Sequence, residues 1–269
     1  MDWTLAAALL ALGAATGFAA GLLGIGGGML LVPFLTLLFD ARRFPPEHVV
    51  RMAIATSLAT ILFTSVASVR AHHQRGAVLW PVARVLAPGI LLGSLAGAQV
   101  AGRLPTFWLA LAFAVFVAFS ATQMLADRKP APHRELPRAW GMFGAGGAIG
   151  FLSSLVGAGG GFISVPFMVW CNVRIHNAVA TSAALGFPIA AAGTIGYIVA
   201  GLNVPALPPG SVGFIYVPAL IAVVAASVLT APLGARVAHA LDVKRLKRVF
   251  AVLLYLLAAY MLYKATRAF

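Results

Sequence analysis

The chain has 269 residues, 61% hydrophobic and 9% charged, with a mean hydropathy of +0.97, whereas a soluble domain carries roughly 25% charged residues. This is the composition of a polytopic membrane protein; at about 20 apolar residues per helical crossing the length is filled by about eight to ten membrane segments, which excludes a soluble enzyme on a membrane anchor. The 19 Lys and Arg against 6 Asp and Glu fall mostly in loops between apolar runs, the pattern of cytoplasmic retention, so no nucleic-acid partner is inferred.

In chain order, the first apolar run covers about 4–22. It is superficially like a secretory signal, but it lacks a basic start and runs without a polar cleavage region into Gly17 and beyond, so it is expected to belong to the mature fold. Further runs cover about 29–39, 50–69, 78–102 and 105–125, then 141–157, 161–171, 178–200, 212–238 and 246–263. All are expected to be helices, because lipid tolerates no unpaired backbone, which makes the fold all-α. The runs at 29–39 and 161–171 are too short to cross roughly 30 Å of hydrocarbon at 1.5 Å per residue and read as half-helices. The lone Cys171 permits no intrachain disulfide or cysteine metal cluster and reads as a packed core residue.

An internal repeat organises these runs. Gly17–Phe34 aligns without gaps to Gly150–Phe167, with 10 identities in 18 positions. Ala55-Thr56-Ser57 matches Ala180-Thr181-Ser182, and Gly97–Ala101 matches Gly234–Ala238 in the same order. The chain therefore divides into a first transmembrane repeat, 1–126, a basic Pro-rich surface linker, 127–139, and a second transmembrane repeat, 140–269. Each repeat is expected to hold four long helices and one short broken half-helix. Two of three matched loop pairs differ in Lys and Arg content, which favours inverted repeats, while the pair containing Arg42, Arg43 and Arg51 against Arg174 points the other way. The side that holds the linker collects most of the bases, which places the linker in the cytoplasm.

The Gly-rich breaks, Gly24–Gly28 and Gly157–Gly161, are the most informative features. A run of three glycines is a poor helix, and each is followed five residues on by a proline, Pro33 or Pro166. Interrupted segments at matching places in two halves mark a transporter's binding site. The helix that starts after each break exposes unpaired N–H groups and a positive dipole end, glycine admits a ligand to the backbone, and such ends favour anions. The competing explanation is close helix packing through small residues, which is also the reading of Gly144-Ala-Gly146-Gly147-Ala-Ile-Gly150.

The carboxylates support an anionic cargo. Asp2, Asp40, Glu47, Asp127, Glu135 and Asp242 all lie at a terminus, in a loop or at a span end, whereas cation transporters and proton pumps usually hold an intramembrane carboxylate. The matched pairs Thr56, Ser57 and Thr181, Ser182 are placed either to donate to an oxyanion or to bond within and between helices. Gln99 and Arg236 also occupy matched positions, and a guanidinium suits a sulfur oxyanion; snorkelling from a span end serves Arg236 equally well, and Arg84 better. His48, His72 and His73 read as solvated loop residues with no metal-ligand spacing. His176 is a candidate for proton coupling because it can titrate near neutral pH. No catalytic constellation appears, so an enzyme is not expected, and no cofactor or metal is implied.

The paired G-x-G-G-G-x-x-x-x-P elements, Gly24, Gly26, Gly27, Gly28 and Pro33 with Gly157, Gly159, Gly160, Gly161 and Pro166, resemble those of the TauE/SafE sulfite exporter family. The resemblance covers both halves. It implies a secondary permease, often an exporter, for sulfite, thiosulfate, sulfonates or related small organic anions in the inner membrane of a prokaryote. The partners expected are a small anionic substrate and the lipid bilayer. A channel-like or ligand-sensing membrane protein is the alternative.

Overall fold

The computed structural model describes residues 3–23, 27–126, 135–238 and 243–267. The side chains of 21–23, 235, 236, 238 and 243–247 are also left undescribed, and Gly24, Gly26 and the linker segment 127–134 lie outside the described residues.

The first half contains α1 (Trp3–Leu23), α2 (Gly28–Ala41), α3 (Pro46–Gln74), α4 (Trp80–Arg103) and α5 (Thr106–Ala126). The second contains α6 (Ala139–Val156), α7 (Gly161–Trp170), α8 (Ile175–Gly201), a short antiparallel hairpin of β1 (Ser211–Val212) and β2 (Ile215–Tyr216), α9 (Val217–Ala238) and α10 (Val243–Arg267). Eight of the described helices are long and apolar enough to cross a membrane, and α2 and α7 are the short apolar ones. Large apolar side chains such as Val115 and Phe119 of α5, Leu229 of α9 and Leu256 of α10 remain exposed, as a lipid-facing surface requires.

The hydrogen bonds show which helix ends lie together. On one face, Arg51 near the start of α3 donates to the Leu104 carbonyl just after α4 at 2.6 Å, Thr106 at the start of α5 donates to the Glu47 carbonyl, and Lys264 at the end of α10 pairs with Asp40 at the end of α2 at 2.6 Å. The stacked Phe39 and Phe44 rings meet the edge of Tyr216 there, so the hairpin belongs to the same face. On the opposite face, Asn177 in the first turn of α8 donates to the Ala77 carbonyl between α3 and α4. It follows that α3 and α8 run antiparallel through the centre of the molecule.

Two other crossings bring backbones close together. Gly89, Gly93 and Gly97 of α4 face Phe143, Gly147 and Phe151 of α6 so closely that an added Cβ would overlap the carbonyls of those three residues. Gly146 and Gly150 of α6 likewise abut the carbonyls of Leu86 and Ile90. Packing is thus the role of the α6 glycines, and Gly144, which meets nothing within 4 Å, is the exception. In the other crossing, Gly13 and Gly17 of α1 abut the backbone of Val223 and Ser227 of α9, and Thr230 donates to the Ala14 carbonyl. Small residues permit this approach, which gains dispersion contact where no hydrophobic effect operates between helices in lipid.

Three expectations differ from this fold. The run at 212–238 is not helical throughout: Gly210 and Gly213 take positive φ of 88° and 55°, and the residues to Tyr216 form the hairpin. Hydropathy does not separate a buried hairpin from a buried helix; Phe214, Ile215 and Tyr216 are all buried. His48, His72 and His73 are not in loops but in the first and last turns of α3, because a helix continues past its apolar stretch where water can solvate its end. Arg51, likewise counted as a loop base, lies inside α3.

Candidate functional site

The two breaks meet. Gly28, the first residue of α2, sits so close to the end of α6 that a Cβ on it would lie 2.6 Å from the Gly157 carbonyl oxygen and 3.3 Å from the Ala158 Cα. At 1.5 Å per residue, the 14 residues of α2 and the 10 of α7 reach about 21 Å inward from one face and about 15 Å from the other. Both helices therefore begin partway through a layer roughly 30 Å thick, where the start of α2 meets the turn that leads from α6 into α7. Neither tip carries a side-chain cap, since Gly27 and Gly160 are the N-caps. Within each helix the first ladder bonds start at Leu30 and Leu31 on the Gly27 carbonyl, and at Ile163 and Ser164 on the Gly160 carbonyl, which leaves the earliest N–H groups without an intrahelical partner.

The local backbone explains why glycine stands at these positions. Gly157 ends α6 with φ of 69° and Gly160 begins α7 with φ of 76°, a left-handed conformation that glycine adopts at no steric cost. Gly27 is different, with φ of −73°. Gly159 lies 3.6 Å, as a Cβ position, from the Ile61 Cγ2, and Gly186 of α8 approaches the Gly159 carbonyl. Pro33 and Pro166 lie inside α2 and α7, where each withholds an N–H from the ladder one turn beyond the exposed tip.

Hydroxyls gather at the second break. Ser57 of α3 donates to the Gly157 carbonyl at 3.0 Å. Ser164 of α7 donates at 3.0 Å to the Gly160 carbonyl and lies 2.7 Å from the Ser182 hydroxyl oxygen of α8. Ser153 of α6 is fully buried, and its Oγ lies 3.1 Å from where a Cβ on Gly160 would stand.

The remaining expected site residues are placed elsewhere. Thr56 accepts the Tyr216 N–H at 3.1 Å, and Thr181 accepts the Leu79 N–H at 3.0 Å, so each hydroxyl oxygen holds the residue immediately before α9 or α4. Gln99 donates to the Gly196 carbonyl of α8 at 2.9 Å. His176 is exposed in the first turn of α8, Arg84 is exposed on α4, and Cys171 is buried. Arg236 lies in α9, its side chain outside the description.

Sequence reasoning passed over Ser153 and Ser164. The signal lay in the repeat alignment, where these serines stand opposite Ala20 and Leu31: the hydroxyls occur in one copy only, and attention to identities hides them. The hydroxyl of Tyr197, a fully buried residue of α8, donates to the Ser154 carbonyl at 3.1 Å and ties α8 to α6 near this break.

The profile of the sulfite exporter TauE/SafE family matches residues 9–261. Among curated proteins, the chain is 37% identical over 257 residues to a "Probable membrane transporter protein" of Haemophilus influenzae, covering 95% of this chain and 97% of that one. It is 24% identical to proteins of the same description from Methanocaldococcus jannaschii, covering 94% of each chain, and from Bacillus subtilis, covering 95% of this chain and 97% of the other. No solved structure matches significantly. With eight helices long enough to span a membrane and a family match over nearly its whole length, the chain is a multi-pass membrane transporter and belongs to the sulfite exporter TauE/SafE family.

Proposed function

We propose that this transporter moves a small sulfur-containing anion, such as sulfite, thiosulfate or a sulfonate, across a prokaryotic inner membrane by alternating access, with the anion held where the glycine breaks meet. The observation that carries this reading is the approach of Gly28, at the uncapped N-terminus of α2, to the Gly157 carbonyl that ends α6, three residues before Gly160, the uncapped start of α7. Helix N-termini attract anions through their free N–H groups and dipoles. Among the described carboxylates, Asp40 is paired with Lys264, and Glu47 and Glu135 are exposed, so none of the three opposes an anion at the breaks.

Rocking of one inverted repeat against the other is the motion we assign. Three observations support inversion: the antiparallel α3 and α8, the matched bonds of Thr56 and Thr181 to the residues before α9 and α4, and the crossings of α1 with α9 and α6 with α4, which use glycines at matched positions. The linker is assigned to the cytoplasm by its charge.

The test is flux in proteoliposomes with an imposed pH gradient, using sulfite, thiosulfate, methanesulfonate, acetate and sodium. Saturable movement of a sulfur oxyanion, abolished by Gly27→Leu or Gly160→Leu while the protein still inserts, is the expected result. Linear flux that follows voltage indicates a channel, and movement of acetate or sodium alone overturns the substrate class.

A further inference from the structure

We propose that the two breaks are not equivalent and that the second is the anion-binding one, with the Ser153 hydroxyl as a direct ligand beside the N-terminus of α7. This rests on the anion reading above and adds the residue that gives it polarity. Buried hydroxyls on the helices of this protein usually bond back to a carbonyl three or four residues earlier: Thr16 to Leu12, Thr36 to Val32, Thr60 to Thr56, Ser120 to Phe116 and Ser164 to Gly160. That is the ordinary fate of Ser and Thr within a helix. Ser153 departs from it. It is fully buried, and its Oγ has no hydrogen-bond partner among the described residues.

The orphan hydroxyl faces the break. Its Oγ stands 3.1 Å from the place a Gly160 side chain would take, and the same place is bounded by the Ile189 Cδ1 at 2.5 Å and the Ile149 Cγ2 at 3.5 Å. Gly160 is the N-cap of α7, so the free N–H groups of Gly161 and Phe162 begin there. The Gly160 carbonyl, the nearby group that suits a cation, already accepts from the Ser164 N–H and hydroxyl. What remains is the Ser153 hydroxyl beside the donors of a positive helix end, and the ligand that such an end favours is an anion. Among the described residues of the first break, the surroundings differ: Gly27 has Ala20 beside it and the Thr16 carbonyl at 3.1 Å.

Ser94 supplies the control. Its Oγ is also buried without a partner among the described residues, but it lies in the tight α4 and α6 crossing, 2.8 Å from the position of a Gly150 Cβ. The experiment measures sulfite binding to the protein in nanodiscs by calorimetry, together with the melting temperature with and without sulfite, for wild type, Ser153→Ala, Ser94→Ala and Gly160→Leu. Loss of one hydrogen bond to a charged ligand raises Kd by roughly tenfold or more. Ser153→Ala is expected to show that rise and to lose most of the sulfite-induced gain in melting temperature, while its ligand-free melting temperature stays level or increases. Ser94→Ala is expected to bind as wild type. If wild type binds sulfite, Gly160→Leu does not, and Ser153→Ala binds as tightly as wild type, the Ser153 assignment is overturned and the anion site at the breaks stands. A fall in the ligand-free melting temperature of Ser153→Ala with affinity retained overturns it as well, by showing a structural hydroxyl. If wild type binds none of sulfite, thiosulfate and methanesulfonate, the anion reading and this inference fall together.

Discussion

The first and second glycine breaks share a sequence element, and their described residues differ in conformation and in the side chains beside them. In the second, two glycines have positive φ, and Ser153, Ser164 and Ser182 lie around the Gly160 turn. In the first, Gly27 has an ordinary right-handed conformation and its neighbours are the Thr16 carbonyl and Ala20. Even the Ser57 hydroxyl, which belongs to the first half, donates across to Gly157. The two copies of the motif open the backbone at two places, and among the described residues hydroxyl side chains gather at the second. On the binding site proposed above, matched motifs mark where a site can be built, and the unmatched Ser153 and Ser164 mark the copy proposed to bind.

Substitutions can break this comparison or sharpen it. The largest effect is expected from Gly28→Leu, because a Cβ there would stand 2.6 Å from the Gly157 carbonyl oxygen and the added side chain wedges the start of α2 away from the end of α6. Overpacking of this kind costs about 1–3 kcal/mol or more, and flux in proteoliposomes should vanish; normal flux would show that the two need not meet. Next is the pair Gly160→Ala and Gly27→Ala. A left-handed conformation costs a non-glycine residue about 1–2 kcal/mol, to which Gly160→Ala adds contact with Ile189 at 2.5 Å. Gly27→Ala is compatible with its φ of −73° and should stay within about 1 kcal/mol of wild type. Thermal denaturation in detergent compares the two, and equal losses would erase the distinction drawn between the breaks.

A smaller and matched effect is expected from Thr56→Val and Thr181→Val. Each removes the acceptor of one buried N–H, from Tyr216 or Leu79, at about 1 kcal/mol. Similar losses in melting temperature would support the equivalence of the two central helices, and a neutral result at one of them would mark where the repeats part. The smallest effect is expected from Gly144→Ala, which meets nothing within 4 Å and gains helix propensity of up to about 1 kcal/mol. Gly93→Ala in the partner helix, which overlaps the Gly147 backbone, should by contrast be strongly destabilising.

Much of the architecture was legible in the residues. The Gly-rich runs with Pro33 and Pro166 predicted two interrupted helices, and these are the places where α2 and α7 begin. Hydropathy located all the long helices, because lipid leaves the backbone no alternative to internal hydrogen bonding. It misjudged the ends of α3, where His48, His72 and His73 remain helical, and it merged the hairpin at 211–216 into α9. In both places the deciding factor is contact with other parts of the chain or with water, to which a sum over apolar residues is blind.

The candidate site was half legible. Thr56 and Thr181 attracted attention because they recur, yet their oxygens are bound to the amides of Tyr216 and Leu79, 160 and 102 residues away in sequence. Ser153 and Ser164 did not recur and were missed. Whether a hydroxyl is satisfied depends on neighbours brought by folding, and residue type alone carries no record of them. By itself, the sequence determined that the protein lies in a membrane, that its helices are interrupted at two related places and that its carboxylates lie away from those places, because composition and local backbone freedom decide such things. Only the tertiary structure decided that the breaks touch and that one of them holds a buried hydroxyl without a partner among the described residues, because those facts depend on helices remote in sequence packing within a few ångströms of one another.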